Sequence, residues 1–239
     1  MVEHVVIDRQ VSAEGRRRAD RRRLYQLAGI SALVSAALVP IQLAVFAAFP
    51  YPATPTGWFD LLRDNPIAGL IDLDVLLVAD NVLLVPIAVA VYMTIRRADQ
   101  ATVTVATVAW LLSIVLMIAS NPAVEMLSLT DRFQLASSVA ERTAIMGGAE
   151  AVLATWDGTG FQVAYLIGQL AGIALGLVML RVAAFGRAVP IALIAGDALG
   201  FGYYIPRVGL AISAFSGIVL WIWYLLIGRR LLQLAKEAQ

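Results

Sequence analysis

Cysteine is absent from the 239 residues, and histidine occurs only once, at His4 near the N-terminus. The lack of cysteine excludes disulfides, thiolate metal sites and a cysteine nucleophile. A single histidine in a polar tail excludes a histidine-based metal cluster or acid–base pair within the apolar part of the chain. Acid–base chemistry there would have to rest on carboxylates alone. We therefore expect no metal, no cofactor and no enzymatic activity.

Charged residues are also scarce, since they make up 15% of the chain while hydrophobic residues make up 60%. The apolar residues gather in runs that reach the ~20 residues needed to cross a bilayer as a helix, rather than in stripes of 3.6-residue period. These runs predict an all-α, polytopic membrane protein with six transmembrane helices. The expected spans are residues 24–49, 67–95, 101–120, 161–183, 189–204 and 208–227.

Positive charge is unevenly distributed between the two sides that these spans define. With the N-terminus inside, fourteen lysines and arginines fall on the inner side, mainly in the tails 1–23 and 229–239, and four fall on the outer side. Cytoplasmic segments carry such an excess, so we predict a cell-membrane protein with both termini in the cytoplasm. The N-terminal arginines then act as a topology signal, with a lipid- or nucleic-acid-binding arm as the alternative; we expect no nucleic-acid partner.

Residues 123–160 form the one sizeable segment outside the predicted spans. Thr130-Asp131 is a plausible helix start, Gly147-Gly148 a helix end, and Ala149–Trp156 a second short helix. We therefore expect an extracytoplasmic helical hairpin between the third and fourth spans, capping one end of the bundle.

The second predicted span carries four polar residues: Asp72, Asp74, Asp80 and Asn81. An ionisable residue inside a span is costly and usually has a function. Asp72 and Asp74 are expected at the outer interface, in water. For Asp80 two interpretations stay open, a structural contact with a neighbouring helix or an outward-facing pocket that binds a cation or a small solute.

Asp197 stands near the middle of the fifth predicted span, among several glycines. It either takes part in cation or proton binding or forms a hydrogen bond with Gln42, Gln169 or a tyrosine. Asp80 and Asp197 occupy the middle spans of two three-helix halves, which is also the arrangement of an inverted-repeat transporter.

Small residues recur every four positions along the last three predicted spans. Such spacing lets helix backbones approach closely in lipid, where dispersion replaces the hydrophobic drive. The sequence therefore predicts a tight helix bundle packed on these glycines: Gly168, Gly172, Gly176, Gly196, Gly200, Gly209 and Gly217.

Three stretches of the chain carry a family likeness, at residues 59–66, 120–127 and 154–161. Together they resemble a family of uncharacterised bacterial six-helix integral membrane proteins, known only as a domain of unknown function. The resemblance implies the six-helix architecture and supplies no catalytic residues.

Two classes of function remain open from the sequence. In the first, the chain is a non-catalytic accessory, sensor or scaffold subunit that acts through helix packing with a membrane-protein partner or a second copy of itself. In the second, it binds or transports a small solute or cation in an acidic pocket around Asp80. An enzyme with intramembrane carboxylates ranks third. A hydrated acid would favour transport, and a dry, hydrogen-bonded acid would favour a scaffold.

Overall fold

The computed structural model describes the backbone of residues 2–238 and the side chains of residues 15–238, except those of Arg17 and Leu210; the His4 side chain lies outside this part. All regular secondary structure in residues 2–238 is helical, and these residues contain no strand. Their α-helices are, in chain order, α1 (Val2–Ala48), α2 (Pro55–Asp64), α3 (Pro66–Asp72), α4 (Val75–Ile95), α5 (Gln100–Ala119), α6 (Ala123–Leu135), α7 (Val139–Trp156), α8 (Thr159–Met179), α9 (Ala188–Gly200) and α10 (Gly209–Glu237). Short 3-10 helices lie at Ala183–Phe185 and Phe201–Tyr204.

Five stretches of helix are long and apolar enough to cross a membrane, and in the apolar window of each of them only 22–39% of the residues are buried. They are Arg18–Ala48, Val75–Ile95, Gln100–Leu135, Val139–Met179 and Ala211–Glu237. A sixth apolar stretch, Ala188–Tyr204, is shorter. Outward-facing apolar side chains are costly in water and favourable in lipid, so this pattern suits an all-helical membrane protein.

The predicted second span is not a single helix. It begins as expected, because Asn65 caps α3 by accepting a hydrogen bond from the Ala68 amide at 3.1 Å and Pro66 takes the first helical position. However, α3 ends at Asp72 and α4 begins only at Val75. Asp74 between them has φ 61, a left-handed conformation that interrupts a helix and that aspartate tolerates better than most residues.

The chain divides into two compact units. Unit 1 comprises Met1–Ala36, Leu83–Thr107 and Ala171–Gln239, and unit 2 comprises Ala37–Val82 and Val108–Leu170. In unit 1 the helices α9 and α10 pack together, and the Tyr25 and Thr94 hydroxyls are hydrogen-bonded at 3.0 Å.

Unit 2 holds a core built by α2, α3, α6 and α7. Its buried residues include Trp58, Phe59, Leu62, Leu73 and Met126. The helices α6 and α7 pack against each other and both contact α2. This core orders the residues around the break between α3 and α4, where the candidate site lies.

The bounds of α6 and α7 differ from the sequence prediction. Thr130 lies inside α6 rather than at its start, and its hydroxyl donates to the Met126 carbonyl at 2.8 Å. Gly147 and Gly148 lie inside α7, which begins at the Ser138 cap and runs to Trp156. A Cβ at Gly148 would lie 3.8 Å from the Leu129 side chain, so this glycine lies at the contact between the two helices instead of ending one.

Candidate functional site

The site is organised around the carboxylate of Asp74, which is held by two neutral donors from distant parts of unit 2. Gln42 Nε2 of α1 donates to Asp74 Oδ1 at 2.6 Å. Trp156 Nε1, at the end of α7, donates to Asp74 Oδ2 at 3.1 Å. Both oxygens are therefore hydrogen-bonded, and neither donor brings a positive charge.

Asp72, two residues earlier, is the more unusual group. Its relative exposure is 0%, and neither of its carboxylate oxygens has a hydrogen-bond partner among the described residues. A buried carboxylate without a donor is strongly disfavoured, so such a group takes up a proton or a cation. We call Asp72, Asp74 and the residues that contact Asp74 the Asp74 site.

A third carboxylate and a phenol lie close to these two. Burial raises the pKa of the Tyr51 hydroxyl, and the charges of Asp74, Asp72 and Asp157 raise it further. In the part of the chain whose side chains are described, none of these three carboxylates forms an ion pair with lysine or arginine. The described side chains therefore supply no positive charge to balance these carboxyl groups.

Three aromatic rings pack against one another beside Asp74, and one of them is the Trp156 ring that donates to it. The centroids of Tyr51, Trp58 and Trp156 are separated by 5.9 Å, 6.0 Å and 5.8 Å, in edge-on or tilted contacts. Tyr51 is 48% exposed and also packs on Phe46 at 5.1 Å. Aromatic faces attract cations through the ring quadrupole, so the rings and the carboxylates favour the same sign of ligand.

The backbone of the break is fixed by Asn121, which stands between α5 and α6. Its Nδ2 donates to the Leu73 carbonyl at 2.7 Å, and its Oδ1 accepts from the Ala123 amide at 3.1 Å. One side chain thus satisfies the carbonyl left free at the end of α3 and one free amide at the start of α6.

Burial raises the pKa of Asp74 to about 6, although the hydrogen bonds from Trp156 and Gln42 act to lower it. Asp74 precedes α4 and lies outside the five long apolar stretches. Burial also raises the pKa of Asp72. Asp74 therefore changes charge about one pH unit below neutral, and burial shifts the pKa of Asp72 in the same direction.

The structure gives the polar residues of the predicted second span different surroundings. Asp72 is fully buried rather than hydrated, which corrects the expectation of water at the outer interface. Asp80 lies further along α4 and is half-buried. The side-chain amide of Asn81 donates a hydrogen bond of 2.8 Å to the Leu77 carbonyl of its own helix. Apolar periodicity could not reveal that α3 ends at Asp72 or that Asp74 interrupts the helix.

Asp197 belongs to unit 1, where its side chain is 8% exposed and lies against α8. A Cβ added at Gly172 would lie 1.8 Å from Asp197 Oδ2. The carboxylate therefore occupies the space that a larger residue at 172 would need. Gln42, one of its predicted partners, is bonded to Asp74 instead.

The other glycines of the predicted packing face have different surroundings. A Cβ would lie 2.5 Å from Ile194 at Gly176, 2.6 Å from Leu220 at Gly196 and 3.1 Å from Ser113 at Gly168. Gly200 is buried. A Cβ added at Gly209 would lie 2.6 Å from the Tyr203 carbonyl oxygen and 2.7 Å from the Gly202 carbonyl oxygen. Gly217 is exposed, and a Cβ there would meet no described atom within 4 Å, because this residue lies on the outer face of α10.

Sequence reasoning missed the roles of Tyr51, Trp156 and Asn121. Trp156 and Asn121 each stand at the end of a predicted helix, which was a local signal for them, whereas Tyr51 stood in a proline-rich loop. In the described part of the chain, no three histidine, cysteine, aspartate or glutamate side chains converge as metal ligands would.

Three comparisons with known proteins gave no match: no family model, no curated protein and no solved structure is significantly similar to this chain. We therefore interpret the site from its own chemistry.

Proposed function

We propose that the chain is a six-span protein of the bacterial cytoplasmic membrane, with both termini in the cytoplasm and with α6 and α7 as an extracytoplasmic hairpin. Five long apolar helices and the shorter Ala188–Tyr204 stretch support the six spans. The division of fourteen inner to four outer lysines and arginines supports the orientation. Kinship with the six-helix family that the chain resembles is part of the same proposal.

Cysteine labelling tests this topology, and the cysteine-free chain makes it clean. Single cysteines at Thr56 and Ala144, both exposed positions, should react with an impermeant thiol reagent from outside intact cells. Cysteines at the exposed positions Ala98 and Lys236 should react only after the membrane is opened. Labelling of Ala98→Cys in intact cells would overturn the orientation.

Within this topology we propose a non-catalytic sensor subunit whose Asp74 site binds a small monovalent cation or a protonated amine on the extracytoplasmic side. One observation carries this function: Asp72 is fully buried and both of its carboxylate oxygens lack a partner among the described residues. A cation between Asp72 and Asp74 would supply the missing positive charge. The rings of Tyr51, Trp58 and Trp156 add an electron-rich wall beside it.

A scaffold subunit without a ligand is the second candidate, favoured by the close approach of α8 and α9 at Gly172 and Gly176. In that case Asp72 is simply protonated. The two candidates differ in one measurable respect, because only a binding site responds to the identity of the cation.

The experiment is a melting series of the purified protein in mild detergent, over a panel of alkali-metal salts and primary to quaternary ammonium salts at constant ionic strength. At about pH 7, above the raised pKa of Asp74, at least one cation should raise the melting temperature. At about pH 4.5 the same cation should lose its effect, since protons then occupy the site.

Two variants locate the effect. Asp72→Asn is nearly isosteric and should abolish the cation response, while Asp80→Asn should keep most of it. Asp64→Asn is the matched control for charge, because Asp64 is exposed and, among the described side chains, is bonded only to its neighbour Arg63. Equal loss in Asp64→Asn would mean a general charge effect. If no cation or amine changes the melting temperature of the parent protein, the binding proposal is wrong and the scaffold function is favoured.

A further inference from the structure

A second charged feature lies in unit 1, on the part of α1 that precedes its apolar residues, and has the opposite sign. A cleft of about 760 Å³ is lined by one face of this helix and by the end of α10: Gly15, Arg18, Ala19, Arg22, Arg23, Gln26 and Ala238. Three of these seven residues are arginines and none is acidic.

The packing of α1 against α10 explains why the cleft is there. A Cβ at Gly29 would lie 2.8 Å from Leu232, and one at Gly228 would lie 3.1 Å from Leu33. A glycine of each helix therefore packs against a leucine of the other. Higher residue numbers on α10 meet lower ones on α1, so the two helices run antiparallel. The end of α10 therefore lies beside the arginine-bearing turns that precede Gly29.

The arginines of the cleft are available for a ligand. Arg18, Arg22 and Arg23 form no ion pair among the described side chains. Glu237, the nearest acid on α10 in sequence, is bonded to Arg230 at 2.8 Å. Asp20 lies two residues from Arg18, about 200° around the helix, and does not line the cleft. Guanidinium groups on one helix face are geometrically suited to the oxygens of a phosphate.

The position of the arginines along α1 indicates where such a phosphate would come from. Arg18 to Arg23 covers about 8 Å of helix axis directly before the apolar residues that start at Leu24. In the proposed topology, this length matches the headgroup layer of the inner leaflet, which is roughly 5–8 Å thick. The cleft then opens at the depth of the lipid phosphates.

We propose that this cleft is a binding site for a phosphate-bearing anion, and that its occupant is the headgroup of an anionic phospholipid. Arg18 and Arg22, one turn apart, would bind the phosphate oxygens, while Gln26 offers an amide to the glycerol hydroxyls. The site is separate from the Asp74 site and does not depend on the cation proposal.

Native mass spectrometry of the protein in mild detergent tests this, because a micelle lacks the charged surface that attracts any basic segment. The wild type should retain phosphatidylglycerol in preference to phosphatidylcholine. Arg22→Gln and Arg18→Gln should each weaken that retention about tenfold, the effect of losing one charge-assisted hydrogen bond.

Arg21→Gln is the matched control, since it removes the same charge from the adjacent residue, which lies about 100° around the helix from Arg22 and does not line the cleft. It should retain phosphatidylglycerol within about twofold of the wild type. Equal melting temperatures of the variants show that folding is unchanged. Binding of inorganic phosphate without retention of the lipid would reassign the occupant to a free phosphate. Equal losses for Arg21→Gln and Arg22→Gln, equal retention of the two lipids, or no binding of lipid or phosphate would each overturn the site.

Discussion

Trp156 and Asp74 stand 82 positions apart in the chain and share a hydrogen bond of 3.1 Å from the indole Nε1 to Oδ2. This bond fastens the end of α7 to the break between α3 and α4. It also stabilises the charged form of Asp74, so the bond acts on the pKa of Asp74 as well as on the fold.

The first prediction concerns this bond. Trp156→Phe keeps an aromatic ring but removes the donor, so the pKa of Asp74 should move further up from about 6. The pH midpoint of the stability change should rise with it, as measured by melting temperature between about pH 4 and pH 8. Trp221→Phe is the control, because its indole donates to the Ala36 carbonyl at 2.8 Å in unit 1 and should not move the midpoint.

The second prediction concerns the sign of the pH dependence. Because the folded protein holds the pKa of Asp74 near 6, above the usual 3.8, the folded state binds the extra proton between these values. Its contribution to stability is therefore complete below about pH 4 and is lost as the pH rises through about 6. The melting temperature should fall over this window.

Asp74→Asn removes the titration and should flatten this part of the curve. Asparagine also tolerates the left-handed backbone at φ 61, so the variant should fold. A curve as steep as that of the parent would assign the pH dependence to other groups.

The third prediction concerns the break itself. Asn121→Ala leaves the Leu73 carbonyl without its 2.7 Å bond and removes the cap of the Ala123 amide. The loss should destabilise unit 2 by about 1–3 kcal/mol, the cost of an unsatisfied buried group. Asn121→Asp tests the cause, because it can still accept from the amide but cannot donate to the carbonyl, so it should recover only part of the loss in a denaturation experiment.

Sequence reasoning reached the helical class because long apolar runs and capping pairs such as Asn65-Pro66 are local signals. It placed Asp72 and Asp74 in water because a run of apolar residues does not show where a single residue leaves the helix. The positive φ of Asp74 interrupts the helix. The Asp74 side chain is bonded to two residues far away in the chain, Gln42 and Trp156. Gly147 and Gly148 misled in the opposite way, since both lie inside α7 and only Gly148 lies near another helix, with an added Cβ 3.8 Å from Leu129.

The contact between Asp197 and Gly172 is a second case in which the sequence pattern did not identify the neighbouring group. The spacing of four residues predicted that a helix backbone approaches Gly172 closely. In the structure the neighbour is a carboxylate, with Oδ2 at 1.8 Å from an ideal Cβ at 172. A side chain at 172 and the carboxylate at 197 therefore compete for one space.

The last prediction measures this competition. Gly172→Leu should destabilise the protein by about 1–3 kcal/mol, as overpacking does in cores, and even Gly172→Ala should be costly because its Cβ needs the space of Oδ2. Leu170→Ile changes a 54% exposed side chain and should leave the melting temperature nearly unchanged. In a double-mutant cycle, Asp197→Ala should relieve much of the cost of Gly172→Ala, so the two changes together should cost less than their sum by about 0.5–3 kcal/mol. Strict additivity would show that the carboxylate can turn away from α8 and that the close contact does not constrain the helix pair.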